Sequence, residues 1–395
     1  MNAEQLNIRH LHALSAVISC GGITAAARVV NLTQPAITQG IAKLERQLGM
    51  RLFDRRPGGM EPTEAALILS RRADTALRLI GNSRATAAQI RAFIALARAG
   101  SYAGASAATG LAEASLHRAV SDLSLAMGCK LADRRGRGVA LTPRGMAIAR
   151  NFRLAMNEIH SAMAELAALE GRETGRITIG AMPLSRARIL PSAITRFHEL
   201  YPQADITVIE GSHSELVGPL RDGEIELMIG ALRAGGPDEG LVQRKLFDDH
   251  PVIIARNGHP LAGTGPVDVG SLMRYPWIMA GSDTPLRRLW EQMFTALSGS
   301  PPHVPIECGS VMTIRQILLN GDFLTLLSPD QVELELKAGW LVPIGPPPLS
   351  ISRSIGVTWR RGWHPTPMQS RFLAMLDEEA AGMEEAETAD NPLFA

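Results

Sequence analysis

The sequence predicts a multidomain α+β chain: two tandem winged helix-turn-helix modules, a long connecting helix, and an α/β domain behind them. Three observations carry this. Residues 11–71 superpose on residues 90–150 at a constant spacing of 79, setting Gly21 on Gly100, Ala26 on Ala105, Leu44 on Leu123, Gly49 on Gly128, Asp54 on Asp133 and Thr63 on Thr142. That period exceeds the roughly 20–50 residues of solenoid units, so it marks a duplicated small domain. The overall charge of +1 divides into +11 over residues 1–160 and −10 over residues 161–395. Such a division fits a nucleic-acid-binding region joined to a separate domain, because phosphate neutralisation supplies most sequence-independent DNA affinity. From about residue 173 the helical rhythm gives way to alternating strand and helix patterns.

In the first module Ile8, Leu11, Leu14 and Val17 recur every three positions, as one buried helix face requires, and Gly21-Gly22 stops that helix. Thr24 is placed to cap a short second helix, and Asn31-Leu32-Thr33 turns into a third. There Thr33 serves as N-cap, Pro35 fits the first turn, and Ile37, Ile41, Leu44 and Leu48 form the inward stripe. The outward face is polar: Gln34, Thr38, Gln39 and Lys43. Such side chains at the start of a second helix suit major-groove reading, Gln for adenine edges and Thr for phosphate or the thymine methyl. The following MRLFDRRPGGMEPT predicts two short strands around a Pro-Gly-Gly turn, a wing on which Arg51, Arg55 and Arg56 straddle phosphates or enter the minor groove.

The run GGITAAARVVNLTQPAITQGIAKLERQLGMRLFDRR strongly resembles the winged helix-turn-helix of LysR-type transcriptional regulators, through its Thr-Gln-Pro-Ala, Leu-Glu, Leu-Gly and Leu-Phe-x-Arg at family spacing. One departure is Gly40 inside the third helix, which costs about 1 kcal/mol relative to Ala.

The second module keeps Ile90, Phe93 and Leu96 on its first helix and Leu111, Leu116, Val120 and Leu123 on the later ones. Its outer surface differs: Ala112-Glu113-Ala114-Ser115 replaces Thr33-Gln34-Pro35-Ala36, so cap and proline are gone and an acid faces where phosphate would lie. Its wing, DRRGRGVALTPRG, is the closer family match, and Arg118, Lys130, Arg134, Arg135 and Arg137 keep it basic. Two readings stand: a second DNA contact made mainly through phosphates, or a copy serving dimerisation or spacing. Thr142-Pro143 then opens a helix with Ile148, Phe152, Ala155, Ile159, Met163 and Leu166 at spacings of three and four, stopped at Gly171. A long helix with so narrow a seam commonly pairs with a copy of itself, as the family's linker helix does; packing against the chain's own module is the alternative.

Beyond it, RITIGAM, DITVIEG and IELMIGAL read as strands separated by helices, an order that predicts a parallel sheet covered by helices. This half resembles the effector-binding domain of the same regulators, a two-lobed fold similar to periplasmic solute-binding proteins, including a lobe-crossing Arg-Asn-Gly-His-Pro-Leu at 256–261. The resemblance implies a small-molecule ligand between the lobes, with Ser185, Arg186, Ser282, Thr284 and Thr313 as polar contacts and an anionic effector suited to Arg186 and Arg287. The expected layout is 1–82 and 83–145 for the modules, 146–172 for the linker helix, 173–380 for the two-lobed domain and 381–395 for an acidic tail. Lobe I takes 173–250 and 350–380, lobe II 251–349.

Three dispersed cysteines, Cys20, Cys129 and Cys308, argue against a disulfide framework or structural zinc, and no metal or cofactor is expected. No secretory signal or apolar run of membrane length is present, so the expectation is a cytoplasmic protein with no membrane partner. No nucleophile elbow, metalloprotease motif, P-loop or dinucleotide fingerprint appears. Double-stranded DNA, a small-molecule effector and a homo-oligomer, dimer or tetramer, are the implied partners. The rival reading is an enzyme or solute-binding α/β domain carried on a helical interaction scaffold.

Overall fold

The computed structural model describes residues 6–56, 59–136, 138–233, 236 and 238–390. The chain separates into two compact units, residues 1–175 with 222–224, and the remainder.

In the first unit α1 (Ile8–Cys20) starts at Asn7, whose side chain accepts the Arg9 N–H, and ends at Gly21 with φ of 73°. Its successor α2 (Ile23–Val29) begins at Gly22 with no side-chain cap, so Thr24 lies inside the helix instead of capping it. Asn31 turns the chain at a positive φ of 53°. Helix α3 (Gln34–Leu48) is capped by Thr33, whose hydroxyl accepts the Ala36 N–H, with proline in the first turn. Strands β1 (Phe53–Arg56) and β2 (Gly59–Pro62) form the antiparallel wing, and α4 (Glu64–Ile80) starts from Thr63. The second module repeats the series as α5 (Ala87–Ala99), α6 (Tyr102–Thr109), α7 (Glu113–Met127), the wing β3 (Ala132–Arg135) and β4 (Gly138–Leu141), and α8 (Pro143–Leu169).

The repeat extends to individual hydrogen bonds. Thr63 donates to the Arg51 carbonyl at 2.9 Å and caps α4; Thr142, 79 residues on, donates to the Lys130 carbonyl at 2.8 Å and caps α8. One threonine per module thus fixes wing to following helix. Leu111 departs from expectation: it is 49% exposed, whereas Leu116, Val120 and Leu123 are buried.

One apolar core runs through both modules, from Leu6 to Leu166. Helices α4 and α8 pack along one another, α1 lies on α4 and α5 on α8. The seam of α8 predicted to meet a second copy, including Phe152, Ala155, Ile159, Met163 and Leu166, is buried within the chain, with Ala65, Ala66, Leu69, Ala73 and Ala76 on the buried face of α4. Small residues on α4 allow the close approach. Arg72, 4% exposed in its side chain, donates to Glu158 at 2.9 Å and to Glu165, which also accepts from Arg71 at 2.9 Å. Burial opposes the Arg72 charge, but its hydrogen bonds to Glu158 and Glu165 prevail and raise its pKa.

The second unit holds two five-stranded sheets. In lobe I, β5 (Arg176–Ala181) follows the first unit, a 3-10 turn spans Pro183–Arg186, and α9 (Ile189–Leu200), β6 (Asp205–Glu210), α10 (His213–Asp222), β7 (Leu227–Ala231) and β8 (Leu241–Asp249) come next. The chain passes into lobe II at β9 (Val252–Arg256), then α11 (Val269–Leu272), β10 (Trp277–Met279), α12 (Pro285–Ser298), β11 (Ile306–Glu307), α13 (Val311–Leu319), β12 (Leu324–Leu327), α14 (Glu333–Lys337) and β13 (Leu341–Gly345). It returns as β14 (Arg353–Arg360) and closes with α15 (Pro367–Asp390).

The sheets, ordered β6-β5-β7-β14-β8 and β11-β10-β12-β9-β13, are mixed and not wholly parallel. Strands β5, β6 and β7 are parallel, but β14 is antiparallel to both β7 and β8; in lobe II β9 is antiparallel to β12 and β13. The departure follows from connectivity: parallel neighbours need crossover segments on one lobe, whereas chain leaving and re-entering a lobe can pair back antiparallel. The 256–261 motif also sits differently, at the end of β9 inside lobe II, with His259 2% exposed against Tyr275. The lobe crossing itself falls between β8 and β9. Helix α15 continues through residue 390 and buries Met383, so most of the expected acidic tail is helix.

Candidate nucleic-acid interface and ligand cleft

The four α3 residues Ile37, Ile41, Leu44 and Leu48 are at most 4% exposed, which turns Gln34, Thr38, Gln39 and Lys43 outward. All four, and Thr33, are exposed. Thr38 donates its hydroxyl to the Gln34 carbonyl at 3.0 Å, leaving its methyl group for a partner surface. Glu45 accepts the Leu52 N–H at 2.8 Å and so ties α3 to the wing. Arg51 is exposed at the wing's base; Arg55 and Arg56 lie on β1.

Gly40 has a packing reason. A Cβ there would meet the His10 ring of α1 at 3.0 Å, and Gly40 itself is buried. Burial, then the Lys43 charge, holds His10 below the ordinary histidine range, and its ring supports α3 from behind. In the second module the equivalent pair is Gln89 and Ala119: the larger ring is gone and the methyl has returned. Gln89 instead completes a capping box with Thr86.

Helix α7 lacks a side-chain cap at Ala112 and places Glu113 in its first turn. Arg118, Lys130, Arg134 and Arg135 are exposed; Lys130 pairs with Asp133, and Arg137 lies outside the described residues. His117, where the first module has Thr38, packs its ring at a tilt of 41° against that of Tyr102, with centroids 5.1 Å apart.

In the second unit Ser185 is fully buried and donates its hydroxyl to the Met182 carbonyl at 2.8 Å. Arg186 pairs with Glu210. Across in lobe II, Ser282 is exposed, and Thr284 caps α12 while donating to the Gly281 carbonyl at 2.8 Å. Arg287 pairs with Glu291 at 2.7 Å and lies over Trp290; Thr313 contacts Ser310 at 3.1 Å. Arg233, which no sequence motif singles out, follows β7 of lobe I and donates to the Asp283 carbonyl of lobe II at 3.0 Å. It thereby brings lobe I to the loop bearing Ser282 and Thr284. Burial, then the Arg233 charge, keeps His213 below the ordinary histidine range, and burial with Arg288 lowers Arg233 itself. Arg221, Arg233 and Arg288 and a half-buried histidine thus crowd this lobe junction, with Asp238 and Asp283 as counter-charges. Its only signal in sequence was the Arg after a strand end. Arg188 of lobe I also faces Asp330 of lobe II at 3.6 Å, and burial raises Asp330 above the usual carboxylate range.

Among the described residues no group of three potential metal ligands occurs, and no helix is long and apolar enough to cross a membrane.

The family described as bacterial regulatory helix-turn-helix protein, lysR family, matches twice, at residues 8–67 and 87–146, and the family described as LysR substrate binding domain matches residues 170–381. The HTH-type transcriptional regulator GalR of Pseudomonas putida is 28% identical over 391 residues, covering 95% of this chain and 98% of its own. So extensive an alignment takes in both modules. The SDS degradation transcriptional activation protein of a Pseudomonas species is 29% identical, covering 74% of this chain and 96% of its own. Two solved structures share the fold: full-length OxyR of Pseudomonas aeruginosa, at 19% identity, TM-score 0.56 and coverage of 74% and 93%, and full-length LysG of Corynebacterium glutamicum with bound effector Arg, at 19%, 0.53, and 74% and 97%.

Proposed function

The chain belongs to the LysR family of transcriptional regulators, and from that premise we propose how its residues divide the work of a DNA-binding, effector-controlled regulator that is not an enzyme. The observation that carries the reading is the polar outer face of α3 held over a buried stripe. Thr33, Gln34, Thr38, Gln39 and Lys43 enter the major groove, with Gln34 and Gln39 reading base edges and Arg51, Arg55 and Arg56 holding phosphates or the minor groove. Arg118, Lys130, Arg134 and Arg135 of the second module hold phosphates, and Arg137 joins them by its place in the sequence.

The effector occupies the junction of the lobes, touched by Arg186, Ser282, Thr284 and Thr313, with Ser185 shaping the floor. We add Arg233 to these, because it already reaches across to Asp283 and carries the positive charge an anionic effector needs. Such a ligand acts by binding one arrangement of the lobes better than another; equal affinity would shift nothing. A cytoplasmic homo-oligomer is the working form.

The test is a gel shift of the purified chain with the promoter beside its own coding region, titrated with sugars, sugar acids and aromatic acids found by thermal shift. Retention sensitive to salt, altered by one such anion in the native chain and not in Arg233→Ala, supports the reading. Salt-insensitive or absent retention removes it.

A further inference from the structure

We infer that one chain carries its two winged modules as a fixed and unequal pair, spanning two neighbouring stretches of duplex, one read by sequence and the other held by its phosphates. The inference deepens the proposed DNA reading and rests on it.

Fixity comes first. Duplicated domains joined through Gly81 would be independent if the join were a free hinge. Instead Asn82 donates to the Ala126 carbonyl at 2.6 Å and accepts the Arg84 N–H at 2.8 Å, and Ala85 is 2% exposed. The connection is therefore packed down onto the second module. Helices α4 and α8 share one core, and Arg72 sits buried between Glu158 and Glu165. A buried ion pair of this kind rewards one register and penalises slippage, since any shift leaves charge unpartnered.

The pairing is also self-consistent under exchange of the modules. Each terminal helix packs on the first helix of its own module, α4 on α1 and α8 on α5, and the two then pack on each other. Swapping module one for module two returns the same arrangement. Contacts unchanged by exchange are what a two-fold dimer has between its subunits, and two-fold helix-turn-helix pairs engage half-sites about one helical turn apart.

Inequality comes from the outer faces. The first module offers Gln34 and Gln39 from a capped helix; the second offers Glu113 and Arg118 from a helix without a side-chain cap, beside Arg134 and Arg135. Only the first has amide side chains that match adenine edges.

The full chain, with bound copies counted by native mass, is footprinted by hydroxyl radicals on a site selected from random duplexes. Each bound chain is expected to protect two stretches, with sequence constraint in one alone. Gln34→Ala erases that constraint; Arg134→Ala with Arg135→Ala erases the other protection. Inserting about five base pairs, half a turn, between the stretches lowers affinity roughly 10²-fold, to that of the double arginine variant. One protected stretch per chain, sequence constraint in both, or unchanged affinity for the lengthened site overturns the inference while leaving DNA reading intact. No retention of any duplex in dilute salt defeats the DNA reading itself, and the inference with it.

Discussion

The two winged modules have the same skeleton and different skins. Thr63 and Thr142 make the same two hydrogen bonds 79 residues apart, Gly49 and Gly128 both end their helices in the left-handed conformation, and Leu116, Val120 and Leu123 of α7 are buried like Ile37, Ile41 and Leu44 of α3. Outward, Thr33-Gln34-Pro35-Ala36 has become Ala112-Glu113-Ala114-Ser115, and Thr38 has become His117. Scaffold and surface have diverged independently because different physics holds them. A buried leucine is fixed by its neighbours, whereas an exposed glutamine answers only to whatever it touches outside the chain.

The joint between the modules is the place to break this comparison most severely. Arg72→Ala leaves Glu165 buried with Arg71 alone and Glu158 without its cation, and is expected to cost about 3–5 kcal/mol, read as a large fall in melting temperature. A loss below about 1 kcal/mol would show that these ion pairs do not hold the joint.

Next comes a position where the copies differ in space. A Cβ on Gly145 would lie 1.9 Å from the Leu131 carbonyl oxygen, so Gly145→Ala should cost about 1–3 kcal/mol or more by denaturant melting. Its counterpart in the first module, Ala66, is already fully buried with that methyl present. Unchanged stability would mean the second wing moves freely against α8.

The smallest stability effect concerns the caps. Thr33→Ala should cost about 1 kcal/mol, and Ala112→Thr should recover a similar amount for α7, because α3 has a side-chain acceptor for its first turn and α7 has none. Equal and opposite changes in thermal melting would assign the stability difference to the cap.

Much of this was legible in the sequence. Caps at Thr33 and Thr142 announce themselves by the proline that follows, and the apolar stripes of α3 and α8 appear at spacings of three and four. A stripe tells that a face is buried without telling what buries it, which is why the sequence left α8 between a second copy and the chain's own module, and in the fold α4 packs along it. The burial of Arg72, Glu158 and Glu165 depends on two helices far apart in sequence, so no local pattern announces it. Gly40 looked like a weakness because its reason, His10, lies on another helix. Arg233 follows a strand with no cap or motif around it, and its reach to Asp283 exists only once both lobes are folded. Leu111 obeyed the repeat in sequence but lies exposed, since the register of a duplication predicts position and not the neighbours that cover it.

The central claim is that the outer face of α3 lies against bases while the basic surround lies against phosphates. Its most direct test is the salt dependence of binding for the native chain, Gln34→Ala and Arg134→Ala on a selected operator and on scrambled duplex. The account predicts that Gln34→Ala loses the preference for operator with its salt slope unchanged, whereas Arg134→Ala keeps the preference and flattens the slope by about one. A Gln34→Ala chain that still prefers its operator as strongly as the native one would contradict it.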